Sequence, residues 1–218
     1  MSIGLFKHQS QFVHSNAKYP ALVSGYGAGK TYALCVKALK ECGKNSGYVG
    51  VLLSPTYRMV KDTLQPTLEE VLRNVGFNYE YSASDNRYRV YWSNGYSDII
   101  LRSAENYRRL AGLNLAWAGI DESALLKDDK CWKMVISRLR KGNTLRAFIC
   151  TTPEGFNYVY EYWKNSPKEG YELIQARTQD NTKLPREFIQ SLKENYDEKL
   201  INSYMNGQFV NLQYGSTY

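Results

Sequence analysis

The sequence has few of the residues that build zinc sites and disulfide frameworks. Its 218 residues include only two histidines and four cysteines. No two cysteines form a C-x-x-C pair, whereas structural zinc sites need closely spaced sulfur and nitrogen ligands. A structural zinc site is therefore not expected, and the cysteines are predicted to be buried, reduced thiols. They are Cys35, Cys42, Cys131 and Cys150.

The sequence also lacks a long apolar run. No stretch approaches the length of a membrane-spanning helix, and Met1–His8 lacks the apolar core of a secretory signal. Hydrophobic residues make up 43% and charged residues 22% of the chain, which is ordinary for a soluble globular protein. We therefore expect an intracellular protein without a membrane partner, of a length that suits one α/β domain.

Positive charge is in excess. Lysine and arginine number 28 against 21 aspartates and glutamates, which gives a net charge of +7. This excess favours a polyanionic partner, although many basic proteins bind only counterions. The 19 tyrosines fit either an aromatic core and surface or stacking on nucleic-acid bases.

Short apolar runs that predict buried strands alternate with longer helical patterns. Pro20–Val23 is predicted to be a strand, and Tyr32–Cys42 follows as a helix that Gly43 can end. Tyr48–Ser54 and Met59–Val75 repeat the strand–helix order. Such alternation is typical of an α/β fold, a mostly parallel sheet with helices on both faces.

The middle of the sequence has a different pattern. Tyr79–Tyr81 and Tyr88–Trp92 alternate in polarity and flank the turn-rich Ser84–Arg87, which predicts a β-hairpin. Ile99–Arg102 follows as another strand. We therefore expect an antiparallel extension at one edge of the parallel sheet.

The second half returns to strand–helix alternation. Leu115–Ile120 is a predicted strand, and Ser123 is a candidate cap for a helix at Ala124–Leu139. The remaining predicted elements are a strand at Leu145–Cys150, a helical stretch at Phe156–Trp163, a strand at Tyr171–Ala176, a helical region from near Pro185, and a loop or linker from Ile201.

Ser24–Thr31 has the pattern of a phosphate-binding loop between a predicted strand and a predicted helix. It departs from G-x-x-x-x-G-K-[ST] only at Ser24, which stands at the first glycine position. Backbone N–H groups and the helix dipole can surround an anion there, Lys30 can reach the β- and γ-phosphates, and Thr31 can ligate Mg²⁺. The alternative is an ordinary glycine-rich turn. The candidate binding residues are Gly25, Tyr26, Gly27, Ala28, Gly29, Lys30 and Thr31.

An acidic pair, Asp121-Glu122, directly follows the predicted strand Leu115–Ile120. In phosphate-loop enzymes an aspartate at this place holds Mg²⁺, and a glutamate beside it can act as general base for the attacking water. Taken alone, an acidic pair after a strand is more often a helix start favoured by the helix dipole. The phosphate-loop pattern upstream favours the catalytic interpretation.

Two hydroxyl side chains, Thr151 and Thr152, end the predicted strand that follows. The carboxyl ends of parallel strands face the ligand crevice of an open α/β sheet. A hydroxyl there could sense the γ-phosphate or hold a water. The alternative is a strand end followed by a turn at Pro153.

The ordered set of motifs resembles the ATPase part of the large subunit of the tailed-phage DNA-packaging terminase. The resemblance covers nearly the whole chain. In the first half of the chain, Gln9 looks like the adenine-recognising glutamine, Gly25–Thr31 is the phosphate loop, and Ser54–Tyr57 looks like motif Ia. Arg109–Gly112 and Leu115–Glu122 look like the R-L-x-G and Walker B block. Further on, Thr151–Asn157 resembles the ATPase coupling motif, and Tyr204–Val210 resembles the hinge before the nuclease domain.

This resemblance implies a P-loop NTPase fold of the RecA-like (ASCE) type and a motor that uses ATP and Mg²⁺ to translocate double-stranded DNA into a procapsid. Its implied partners are the portal protein, the small terminase subunit and further copies in a ring. Its implied location is the host cytoplasm, with transient binding at the portal vertex. Residues 1–200 would be the ATPase domain and 201–218 a linker toward a nuclease domain that this sequence does not contain.

The resemblance also implies residue roles. Lys30, Glu122 and one arginine would be catalytic, Thr31 and Asp121 would hold the metal, and Thr151 and Thr152 would couple γ-phosphate loss to movement. Many terminases carry arginine in the loop where this chain has Tyr26. The arginine candidates are Arg109, which the resemblance favours, Arg108 and Arg102; solvation, or pairing with DNA phosphates, is the alternative for all three.

Two other functions remain open from the sequence. A helicase- or recombination-type DNA-dependent ATPase fits the glutamine motif and motif Ia, but it would normally carry a second motor domain. A nucleotide-binding switch without a motor role would have no need of a base such as Glu122.

Overall fold

An eight-stranded sheet forms the centre of the structure, a computed structural model that describes residues 4–212. Across the sheet the strands run in the order β3-β4-β5-β2-β6-β7-β1-β8. The strands are β1 (Tyr19–Ser24), β2 (Val49–Ser54), β3 (Tyr79–Ser82), β4 (Arg87–Trp92), β5 (Gly95–Ser103), β6 (Trp117–Ile120), β7 (Arg146–Thr151) and β8 (Tyr171–Ala176).

Six of these strands form the parallel part of the sheet. Strand β1 lies between β7 and β8, β6 lies between β7 and β2, and β2 also pairs with β5. Strands β1 and β7 are buried along their whole length, as expected where helices cover both faces of a parallel sheet. The hairpin β3–β4 continues the sheet antiparallel to β5. The predicted α/β fold with an antiparallel edge is confirmed.

Helices cover the sheet on both faces, and each face has its own apolar core. Phe12, Leu34 and Leu68 belong to one core, and Trp132, Val159 and Trp163 belong to the other. The α-helices are α1 (Lys7–His14), α2 (Lys30–Lys44), α3 (Tyr57–Met59), α4 (Gln65–Val75), α5 (Lys130–Arg138), α6 (Tyr158–Tyr160), α7 (Arg186–Asn195) and α8 (Glu198–Leu200). Single π-helical turns at Val60–Leu64, Glu161–Asn165 and Ile201–Met205 extend α3, α6 and α8, and 3₁₀ segments lie at Ala104–Gly112, Ser123–Leu125 and Thr178–Asp180.

A buried ionic network joins α1, α2 and the start of β7. Lys37 Nζ on α2 donates to the carbonyl oxygens of Phe12 (2.9 Å) and Ser15 (3.1 Å) at the end of α1. One turn further on, the fully buried Glu41 carboxylate accepts from Arg146 Nη1 at 2.7 Å. Carbonyl groups at a helix end lack the partners that they would have inside the helix, and Lys37 donates a hydrogen bond to two of them.

The helix predicted at Ala124–Leu139 is wrong in its first part. Residues Ser123–Leu125 form a 3₁₀ turn, and α5 begins only at Lys130. Asp128 competes for the backbone, since its carboxylate accepts from the Lys130 N–H at 3.0 Å, as short acidic side chains do at turns. Ser123 is not a helix cap, because its hydroxyl pairs with the Tyr158 hydroxyl.

The loop predicted from Ile201 is also wrong at its beginning. Ile201–Met205 form a helical turn, and Ser203, Met205 and Gly207 are buried. This segment packs on the rest of the domain, while residues 213–218 of the expected linker lie outside the described residues. Its role as a connection to a further domain stays a prediction.

The structure bears on the expectations about the cysteines and about a membrane-spanning helix. The four cysteines are buried and free, as predicted, and burial raises the pKa of the Cys131 thiol to about 12. Within residues 4–212 there is no helix both long and apolar enough to cross a membrane.

Candidate nucleotide-binding site

The loop Gly25–Thr31 connects the end of β1 to the first turn of α2, as predicted. Gly27 and Gly29 adopt φ values of +72° and +81°, which glycine tolerates and other residues rarely adopt. The first amides of α2 have no acceptor within the helix and lie at the positive end of its dipole. An anion at this turn therefore meets unpaired N–H groups.

Neighbouring side chains bind the carbonyl oxygens of the loop. His8 Nε2 donates to Ala28 O at 2.8 Å, Gln9 Nε2 to Gly29 O at 2.9 Å, and Asn181 Nδ2 to Gly27 O at 2.7 Å. Because carbonyl oxygens would repel a phosphate, pairing them within the protein leaves the N–H side of the loop to the ligand.

Lys30 points across the loop toward the acidic pair. Its side chain is only 6% exposed, its Nζ donates to Gly25 O at 3.1 Å, and it lies 4.0 Å from Glu122 Oε1. The structure therefore brings two of the predicted catalytic residues together. A lysine in this position spans the space that a phosphate chain on the loop would occupy.

Thr31 contacts the predicted metal-holding aspartate. Its Oγ1 lies 3.0 Å and 3.2 Å from the two carboxylate oxygens of Asp121. Asp121 follows β6, and its backbone N–H donates to Leu53 O of β2 at 2.8 Å, which fixes the carboxylate below the loop. A hydroxyl paired with a carboxylate is a donor set that suits Mg²⁺, which takes few protein ligands and completes its shell with water and phosphate.

Burial is the main influence on the pKa of the Asp121 carboxyl. It raises this pKa well above its usual range, and the neighbouring Glu122 carboxylate adds to the rise. The Thr31 hydroxyl and Lys30 act in the opposite direction. A buried carboxylate with an excess of negative charge around it is a site that a divalent cation would stabilise.

The residues present fit a nucleotide with Mg²⁺. In residues 4–212, no cluster of three or more histidine, cysteine, aspartate or glutamate side chains could hold a metal. Mg²⁺ at this site would therefore depend on phosphate oxygens as well as on Thr31 and Asp121.

Glu122 adopts an unusual backbone conformation. Its φ of +45° lies in the left-handed region, which costs a non-glycine residue roughly 1–2 kcal/mol. The conformation aims the side chain back at β7, where Oε2 accepts from the Thr152 N–H at 3.2 Å. The other oxygen, Oε1, is the one near Lys30. The carboxylate is partly exposed, which leaves it accessible to a water.

The two threonines at the end of β7 differ in their partners. The Thr151 hydroxyl accepts from the Ala124 N–H at 3.0 Å and lies 3.5 Å from Glu122 Oε2. The Thr152 hydroxyl is buried and has no hydrogen-bond partner among the residues that the structure describes. Buried polar groups are nearly always paired, so an unpaired hydroxyl beside Glu122 is a candidate contact for a ligand.

The structure leaves the role of Gln9 open. Besides its bond to Gly29 O, its Oε1 accepts from the Phe6 N–H at 2.9 Å. Both ends of the amide therefore contact the backbone of the protein, and the side chain is buried. Adenine recognition by Gln9 stays a prediction.

Among the described residues, no contact links any of the three arginine candidates to the phosphate loop. Arg108 and Arg109 are exposed on the 3₁₀ segment Ala104–Gly112, which follows β5. Arg102 is half-buried and donates to Asp85 O and Leu101 O, both at 2.8 Å. Arg102 therefore holds the hairpin, whereas the role of Arg109 stays a prediction.

Sequence reasoning missed several residues that contact the loop or support it. They come from distant parts of the chain: His8, Glu154, Asn181 and Tyr204. The signal for Glu154 and Tyr204 was their place in two motifs whose contact with each other was not anticipated. His8 stands in the Phe6–His8 lead-in to the glutamine motif, and Asn181 had no pattern that could have identified it.

The comparisons with known proteins identify a family for this chain. Residues 21–218 match the family model described as terminase large subunit, T4likevirus-type, N-terminal. None of the curated proteins compared with this chain matches it.

Solved structures with the same fold come from phages. The large terminase of a thermophilic bacteriophage has a TM-score of 0.85 at 15% identity, covering 95% of this chain and 54% of its own. The ATPase domain of the Thermus phage P74-26 large terminase has a TM-score of 0.72 at 21% identity, covering 96% and 94%. The Phi-28 gp11 DNA packaging motor has a TM-score of 0.58 at 15% identity, covering 98% and 71%.

This chain thus spans about half the length of the first of these relatives, the thermophilic bacteriophage terminase. Other structures of that same terminase contain ADP or ATP-γ-S.

Proposed function

This chain belongs to the family of T4likevirus-type terminase large subunits, of which it matches the N-terminal part, and we propose that it hydrolyses ATP to drive double-stranded DNA into a procapsid. The observation that carries the proposal is the meeting of Lys30, Thr31, Asp121 and Glu122 at the carboxyl edge of the sheet. These are the residue types that phosphoryl transfer to water requires.

The loop and the two residues that end it would bind the phosphates. Backbone amides from Gly27 to Thr31 would face the anion, because the Gly25 and Tyr26 amides donate to Ala176 O and Tyr204 O, and Lys30 would neutralise the β- and γ-phosphate charge. Thr31 and Asp121 would hold Mg²⁺, which neutralises developing charge on the phosphate oxygens when it is bound. The complexes of the thermophilic bacteriophage terminase with ADP and ATP-γ-S support ATP as the substrate here.

Glu122 would be the general base. Its carboxylate accepts a proton from the attacking water at one oxygen while the Thr152 N–H holds the other. The left-handed backbone at Glu122 supports this role, because strained conformations concentrate at functional sites. Thr151 and Thr152 would couple γ-phosphate loss to movement. They contact Glu122 on one side and continue into the segment that begins at Pro153.

The roles proposed for Gln9 and Arg109 rest on resemblance to the family. Gln9 would read adenine with the donor and acceptor capacity that its two backbone contacts leave unused. Arg109 would stabilise γ-phosphate charge in a neighbouring subunit, and its exposure supports action in trans. The packaging form would be a ring of subunits that binds the portal protein and the small terminase subunit, in the host cytoplasm and at the portal vertex.

DNA contacts would be made to phosphates. Packaging acts on any sequence, and phosphate contacts carry no sequence information. The net charge of +7 supports a polyanionic partner. DNA affinity would then fall steeply with salt concentration.

The test is the turnover of ATP by Glu122→Gln. Loss of a positioned general base lowers turnover by about 10²–10⁴-fold, while ATP binding should stay, because Lys30 and the loop are unchanged. Turnover is measured by phosphate release and binding by calorimetry with ATP-γ-S. The control is Glu169→Gln, an exposed glutamate in the loop before β8.

Wild-type turnover that survives Glu122→Gln would refute the assignment of the base. Binding without turnover in the wild-type chain, at any protein concentration and with DNA present, would instead support a nucleotide-binding switch.

A further inference from the structure

The segment Ile201–Gly207 lies against the phosphate loop, although the two are far apart in sequence. The Tyr26 N–H donates to Tyr204 O at 2.7 Å, and the Tyr26 and Tyr204 rings stack with centroids 4.9 Å apart. The Tyr26 amide, at the entrance of the phosphate site, is thus hydrogen-bonded to this segment and not to a ligand. The segment fixes where the loop begins to turn.

Two glycines make this contact possible. Gly207 has φ +65°, and a Cβ there would lie 2.4 Å from Ala176 O and 2.9 Å from Ser24 Cα. A Cβ at Gly25 would lie 2.4 Å from Met205 O. Backbone therefore packs directly on backbone, and neither glycine can gain a methyl group without displacing the segment that it contacts.

The same segment contacts the chain that leaves β7. Ser203 Oγ donates to Pro153 O at 2.9 Å, and the Tyr204 hydroxyl donates to Glu154 Oε2 at 3.0 Å. Glu154 follows Thr152 by two residues. The segment thus bridges the two loops that flank the proposed γ-phosphate position.

We propose that Tyr204 and Gly207 are positioning residues that hold the phosphate loop in its phosphate-binding shape. This inference rests on the proposed function of the loop and adds a partner for it within the chain. Nucleotide affinity then depends on the docking of Ile201–Gly207. By thermodynamic linkage, bound nucleotide strengthens that docking by the same factor.

The decisive variant is Gly207→Ala, with Gly76→Ala as its matched control. Gly76 ends α4 at φ +79°, and a Cβ added there would have no atom within 4 Å, so the control carries the same backbone strain without a clash. We expect Gly207→Ala to raise the Kd for ADP by about tenfold or more, within the range of such couplings, and Gly76→Ala to leave it unchanged. Thermal melts verify that both variants fold.

A second readout needs no nucleotide. Hydrogen exchange at the Tyr26 amide should be faster in Gly207→Ala by about tenfold or more, because its acceptor Tyr204 O is displaced. In the wild-type chain, saturating ADP should slow exchange at Tyr26 and across residues 201–207. The exchange readout and ADP affinity are both independent of ATP turnover, so a failure of hydrolysis can be told apart from a failure of the positioning role.

A side-chain series covers the case in which Gly207→Ala does not fold. Tyr204→Leu removes both the ring stack and the bond to Glu154, and it should raise the KM for ATP while kcat at saturation changes little. Tyr204→Phe restores the ring and should recover most of the affinity. Wild-type ADP affinity and wild-type Tyr26 exchange in a folded Gly207→Ala, or a wild-type KM for ATP in Tyr204→Leu, would overturn the proposal.

Discussion

At the scale of single residues, the site depends on which polar groups are paired. Thr151 and Thr152 are neighbours of the same type, yet one hydroxyl accepts a backbone N–H and the other is buried without a partner among residues 4–212. Removing a partnered group leaves its partner unsatisfied, whereas removing an orphan hydroxyl relieves a desolvation cost. Substitution of Thr151 should therefore affect mainly stability, and substitution of Thr152 should affect mainly ATP turnover.

Valine substitutions test this separation, because valine keeps the shape of threonine. Thr151→Val should lower the free energy of unfolding by about 1–3 kcal/mol, since it leaves the buried Ala124 N–H without a hydrogen-bond acceptor. Thr152→Val should leave the stability unchanged or higher and should lower ATP turnover. The measurements are denaturant unfolding and phosphate release for both variants. Equal stability losses in the two would contradict the assignment of partners.

The residues of the loop and of the acidic pair could be predicted from the sequence, because a phosphate loop is a local conformation with a local pattern. Asp121 and Glu122 needed only the apolar strand before them. The contacts of Asn181 and Tyr204 with the loop could not be predicted, since they form only when the chain folds back across the sheet. No spacing in the sequence encodes the packing of Gly207 against the start of the loop.

At the scale of elements, the strands were easier to predict than the ends of the helices. Strand β8 begins and ends where the sequence predicted, since its boundaries are marked by turn residues. The helix α5 begins six residues after its predicted start at Ala124, because the local turn at Asp128 outweighs the helical pattern. Local competition of this kind is invisible to periodicity.

Helix α2 carries a test of pH dependence. Burial lowers the pKa of Lys37 to about 7, with the Arg146 cation adding to the effect and the Glu41 carboxylate opposing it. An unfolded lysine keeps its proton to about pH 10.4, so between pH 7 and 9 the unfolded state binds more protons. The free energy of unfolding should therefore rise with pH in this window, by up to about 1.4 kcal/mol per pH unit from this group.

Denaturant unfolding at pH 7, 8 and 9 measures that slope. Lys37→Met should flatten it, whatever its effect on the stability at one pH, and Lys193→Met on the exposed helix α7 should keep it. The same slope in the wild-type chain and in Lys37→Met would show that Lys37 stays charged in the folded protein.

At the scale of the whole molecule, the strand order brings the candidate catalytic groups to one edge of the sheet. Strand β7 lies between β1 and β6, so its threonines sit between the phosphate loop and the acidic pair. Exposed Arg109 lies outside this group. In the proposed mechanism the chain would supply the loop, the metal-binding pair and the base, and the arginine would come from a second copy.

Mixing two inactive variants tests this arrangement. Turnover per subunit should rise with protein concentration in the wild-type chain, and Arg109→Ala should be slower by up to about 10³–10⁵-fold. A mixture of Arg109→Ala and Glu122→Gln should regain activity, because one supplies the base and the other the arginine. Arg108→Ala and Arg102→Ala serve as comparison variants. Turnover that is independent of concentration, with no recovery in the mixture, would place the arginine in the same chain or remove it from the mechanism.

The pairing of β1 has a consequence for how the protein is made. Ala21 pairs with Ile149 and Tyr19 with Tyr171, so the strand that carries the phosphate loop has neighbours more than a hundred residues further along the chain. Such non-local pairing slows folding and leaves early strands exposed while the later ones are still absent. During translation, β1 leaves the ribosome long before either neighbour exists. We therefore expect the nucleotide site to form late, because β1 cannot pair with β7 and β8 until both have emerged.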